Sequence, residues 1–60
     1  MIRSVQAKKI GPKDFVVYVV IGTAGIRFEC KADSWEAAMR IVDLVILASD
    51  LRDEDIDIKG

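Results

Sequence analysis

Four sets of residues in this 60-residue chain have types and spacing that could do chemistry. They are the thiol of Cys30, the carboxylate run Asp53, Glu54, Asp55 and Asp57, the segment Gly22-Thr23-Ala24-Gly25, and Tyr18 with the cations Lys8, Arg27 and Lys31. A cysteine nucleophile needs a base to draw off its proton, and the sequence has no histidine. Cys30 reads instead as an inert, apolar-packed thiol. The carboxylate run offers oxygen ligands for a divalent cation, yet it lacks the glycine and the ligand spacing of an EF-hand loop. It reads as a solvated acidic tail. Residues 22–25 offer backbone amides to a phosphate but lack the lysine and following helix of a P-loop. They read as a hairpin turn. No catalytic constellation, metal site or cofactor motif emerges, and the chain is expected to be non-enzymatic.

The Tyr18 group is the more informative set, and its meaning depends on the elements that position it. Residues 15–21, Phe-Val-Val-Tyr-Val-Val-Ile, are all β-branched or aromatic and read as a strand. Residues 26–32 alternate apolar and charged and read as a second strand with one wet face. Residues 2–10 alternate less cleanly, and Gly11-Pro12-Lys13-Asp14 supplies turn chemistry after them. The expectation is an antiparallel three-stranded meander. Pairing Gly22 with Gly25 sets Val19 opposite Phe28 and Val17 opposite Cys30, and the same face is kept apolar by Val19 opposite Val5 and Val17 opposite Ala7. A slip of one residue would bring Gln6 and Lys8 onto that face.

A helix is expected from Asp33, read as its N-cap with Glu36 three residues on, or with Ser34 capping instead. Trp35, Ala38, Met39, Val42, Val45, Ile46 and Ser49 recur at helical spacing and should lie on the sheet. Ile41, Leu44, Ala48 and Leu51 fall on a second arc that one sheet cannot cover. The fold class is therefore α+β: a three-stranded antiparallel meander packed by one C-terminal helix, in a single domain spanning residues 1–60. Residues 52–60 form an acidic tail, either disordered or carrying a short fourth strand over 55–59. If that strand docks, right-handed crossover favours a place parallel to and beside the first strand.

Length and composition narrow the function classes. A chain this short buries only about 60% of its unfolded surface, yet 52% of its residues are hydrophobic. With a single cysteine, no internal disulfide can staple it. Oligomerisation or an unusually good core remains, and the composition favours the first. The net charge of −1 hides a split between a basic first half and an acidic second half. That split suits attraction between the halves, within or between chains, and also allows nucleic-acid contact by the basic half. Neither a secretory leader nor an apolar run long enough for a membrane span is visible. A cytoplasmic location is expected, with no membrane partner.

The leading expectation is a self-associating regulatory or inhibitory binding protein, comparable by analogy with small phage accessory inhibitors. Its partners would be a second copy of itself and an unidentified protein. The contact residues would be Val16, Tyr18 and Val20 on the outer sheet face, and Ile41, Leu44, Ala48 and Leu51 on the helix. The alternative is an oligomeric nucleic-acid or nucleotide binder, with Tyr18 stacking on bases and Lys8, Arg27 and Lys31 on phosphates.

Overall fold

The structure, a computed structural model, describes residues 1–59. Its elements are β1 (Ile2–Lys9), β2 (Phe15–Ile21), β3 (Ile26–Ala32), α1 (Trp35–Leu47), a short 3-10 turn (Asp53–Asp55) and β4 (Ile56–Lys59). The sheet order is β3-β2-β1-β4. The first three strands pair antiparallel in the register the apolar face requires: Val5 faces Val19, Ala7 faces Val17, and Val17 and Val19 face Cys30 and Phe28. A register shift between Ile2 and Ser4 is the one irregularity in these ladders. The acidic tail resolves as a strand, parallel to β1 with Val5 beside Ile56 and Ala7 beside Ile58. Gly60 lies outside the described residues.

Turn chemistry closes both hairpins. Ile10 and Gly11 donate backbone N–H groups to the Asp14 carbonyl at 2.9 and 3.1 Å. In the second hairpin Gly22 and Gly25 hold φ of 79° and 70°. These left-handed values cost a side-chain-bearing residue energy that glycine avoids, and Gly25 N donates to Gly22 O at 3.1 Å.

The helix begins one residue later than Asp33 would place it. Ser34 is the N-cap, in extended conformation, and its hydroxyl accepts the Ala37 N–H at 3.1 Å. The helix also ends early, at Leu47 with Ala48 as C-cap. Leu51 is consequently off the helix; it is half-buried and packs against the core, so it does not extend the second helical arc.

One core joins the two layers. Val5 and Ala7 of β1, Val17 and Val19 of β2, and Ala38 and Val42 of α1 form its buried centre. Small residues on both sides, Ala7 and Ala38, are fully buried and let the helix approach closely. Phe15 and Trp35 meet at 5.7 Å between ring centroids, tilted by 56°, and tie the start of β2 to the start of the helix. Such a pair adds about 1 kcal/mol beyond its burial.

If Ser34 caps the helix, Ser34→Ala should lower stability by about 1 kcal/mol. Asp33→Ala should be close to neutral. Thermal unfolding of the two variants, compared with wild type, checks the assignment.

Candidate functional site

Two surfaces carry the residues singled out in the sequence. The first is the sheet face turned away from α1. Strand alternation puts Gln6 and Lys8 of β1, Val16, Tyr18 and Val20 of β2, and Arg27, Glu29 and Lys31 of β3 on it. Val16 stands between Lys8 and Lys31 in the two ladders. It is only 1% exposed although no helix covers that face. Its two ladder partners carry long stems of the kind that can lie along apolar neighbours while the ammonium groups stay in water. Tyr18 and Val20 are half-buried. The Arg27 guanidinium lies 4.6 Å from the Tyr18 ring centroid. A ring face stacked by its own arginine is not open to a base. Gln6 Nε2 donates to Asp57 Oδ2 of β4 at 3.5 Å, so a carboxylate also sits on this basic face.

The second surface is on the helix side. By register, Ile26 and Phe28 share the inner face with Ile21 and Val19. They nevertheless stay 58% and 51% exposed. The cause is width. Neighbouring strands lie about 4.8 Å apart, so the outer strands of a four-stranded sheet are separated by about 14 Å. A helix is about 10 Å across with its side chains. Placed over β1 and β2, it leaves both margins bare, and Ile58 on β4 is 46% exposed in the same way.

The helix contributes its own apolar strip along that margin. Ala37, Ile41, Leu44 and Ala48 recur at three- and four-residue spacing and so share one stripe. Ala37 and Ile41 line an open depression of about 590 Å³ together with Lys31 and Ala32 at the end of β3. The stripe therefore faces β3. Ile41 is half-buried and packs on the core, whereas Leu44 is 67% exposed and Ala48 is exposed. Leu44, on the helix stripe that faces β3, and Phe28 and Ile26, on the helix side of β3, are thus the exposed apolar side chains of this margin. Reading the sequence located the Leu44 side of it and missed the strand side. Strict alternation assigns Ile26 and Phe28 to the covered face, and nothing in local pattern reports how far a helix reaches.

The remaining chemical candidates are scattered. Cys30 is a half-buried free thiol. The acidic run is partly taken up locally, because Asp55 Oδ2 accepts the Arg52 N–H at 3.2 Å and Arg52 pairs with Glu54 at 3.7 Å. Among the described residues no three side chains of metal-ligating type converge. No helix among them is long and apolar enough to cross a membrane.

If Arg27 occupies the Tyr18 face, wild-type protein should show no salt-sensitive binding to a fluorescent single-stranded oligonucleotide. Arg27→Ala with Lys31→Ala should leave the anisotropy unchanged. Affinity in the wild type that falls steeply as salt rises would show that the cations engage phosphates.

No family model, curated protein or solved structure matches this chain.

Proposed function

We propose that the chain is a non-catalytic binding module that associates with itself and acts, in a regulatory or inhibitory role, by occupying a partner's surface. One observation carries this reading: the apolar side chains of Leu44, Phe28 and Ile26 left exposed on one margin. Single exposed apolar residues are ordinary on a protein surface, but several large ones gathered on one margin of so small a chain favour an interaction site. Charged residues accompany them, with Arg40 and Lys31 lining the depression and Asp43 next to Leu44 in sequence.

The stacked Arg27 and the buried Val16 weigh against the outer face as the working surface. They likewise weigh against the nucleic-acid reading, which needs an open Tyr18. A cytosolic setting suits the free Cys30 thiol, since reducing compartments keep such thiols free.

Light scattering behind a sizing column, run over a concentration series, tests the reading. The wild type is expected to rise above the 6.7 kDa of one chain as concentration increases. Leu44→Lys should hold the mass at one chain, because burying an unpaired ammonium costs several kcal/mol. Leu44 is mostly exposed within one chain, so the variant should still fold. Val45→Lys, on the core-packed side of the helix, should unfold the chain and serves as the contrast. A wild-type mass of one chain at every concentration would overturn the reading.

A further inference from the structure

The edge of β3 carries enough pattern to specify how two copies meet. β3 and β4 are the two edges of the sheet. An edge strand presents unpaired N–H and C=O groups that invite another strand. β4 follows the acidic run Asp53, Glu54 and Asp55 and itself contains Asp57, so two such edges repel. β3 instead alternates Arg27, Glu29 and Lys31. Among the described residues, the salt bridges are Arg40–Glu36 and Arg52–Glu54, so Arg27 and Glu29 have no ionic partner within the chain.

The backbone fixes which groups of β3 point outward. Beside β1, Ile10 N donates to Asp14 O at 2.9 Å and Gly22 N to Met1 O at 2.8 Å. Even-numbered positions along β2 therefore turn their backbone groups to β1, and odd-numbered ones turn theirs to β3. Ile26, Phe28 and Cys30 oppose odd positions of β2 and bond there. Arg27, Glu29 and Lys31 are left pointing N–H and C=O groups out of the sheet.

Two copies of such an edge can pair antiparallel only if outward residues meet outward residues, so the twofold axis must pass through a residue. An axis at Arg27, Glu29 or Lys31 sets that residue against its own copy, like charge against like. An axis at Phe28 sets Arg27 opposite Glu29 of the second copy, twice over. An axis at Cys30 also matches charges, pairing Glu29 with Lys31, but it leaves Ile26 opposite Ser34, where the chain has already turned into the helix cap. Of the two charge-matched axes, the Phe28 axis gathers the exposed apolar side chains best, since Phe28 meets Phe28 and Ile26 meets Cys30, whereas the Cys30 axis sets Phe28 opposite Ala32.

Resting on the self-association reading, we infer that two copies join β3 to β3 in antiparallel register about Phe28, forming a continuous eight-stranded sheet. Both helices then lie on one face, and the two apolar margins meet between them. The ring pair and the two Arg27–Glu29 pairs set the register.

Disulfide trapping tests the register. Ile26 and Cys30 of the second copy form a non-hydrogen-bonded pair, with Cα atoms about 4.5 Å apart, inside the range a disulfide spans. Ile26→Cys, at an exposed position, should oxidise to a covalent dimer on a non-reducing gel. The wild type should not, nor should Ile26→Cys combined with Cys30→Ser. Within one chain the two positions are about 13 Å apart along the strand, so the bond must join copies. Arg27→Glu should weaken association by about tenfold, and adding Glu29→Arg should restore it. A wild-type dimer linked through Cys30 itself would place the axis there and overturn the inference. So would an uncrosslinked Ile26→Cys in a protein that light scattering shows to be dimeric, or failure of the charge exchange to rescue; in these cases self-association stands. A wild type that is one chain at every concentration removes both.

Discussion

A single helix about 10 Å across cannot cover a four-stranded sheet, and most features of this molecule follow from that mismatch. The helix settles over β1 and β2, where Ala7, Ala38 and the buried valines give it close contact. The inner residues of the two outer strands pay for this in exposure: Phe28 and Ile26 on one side, Ile58 on the other. Adding β4 helps β1, giving its backbone a second partner and its core face Ile56. It also widens the sheet beyond what one helix protects.

The two margins are managed differently. The basic first half and the acidic second half of the chain meet where β4 docks beside β1, with Gln6 bonded to Asp57 across the pair. The ion pairs among the described residues, Arg40–Glu36 and Arg52–Glu54, both lie within the acidic half, and carboxylates near the β4 edge discourage further pairing there. The β3 margin has mixed charge on its outer face and bare apolar side chains on its inner one. A free edge, exposed apolar side chains and self-matching charges coincide on one strand. For this reason the proposed recognition surface lies at β3 and α1 and not on the outer face, where Val16 is buried and Arg27 stacks on Tyr18.

The strand registers were readable in advance because they rest on side-chain period and turn glycines. Only one pairing keeps Gln6 and Lys8 off the core, and the structure adopts it. The parallel place of β4 followed from the handedness of the crossover. What escaped the sequence depends on distances between elements. Phe28 and Cys30 have the same alternation, yet Phe28 is exposed while Cys30, nearer the helix start, is half-buried. Val16 looked like part of an open stripe because cover supplied by neighbouring side chains on the same face leaves no trace in hydropathy. Ser34 and Asp33 are both good caps, and local sequence does not choose between adjacent candidates. Leu51 fits the helical period, but the helix stops four residues before it.

Amide hydrogen exchange along the edge of β3 tests the central claim most directly. The outward N–H groups of Arg27, Glu29 and Lys31 have no strand partner in one chain, whereas those of Phe28 and Cys30 bond to β2. Exchange of the three outward amides should slow as protein concentration rises, with Phe28 and Cys30 protected throughout and the outward amide of Ile58 on the opposite edge strand unresponsive to concentration. If the three outward amides exchange at the same rate from the most dilute to the most concentrated sample, the β3 edge is not where this protein makes its contacts.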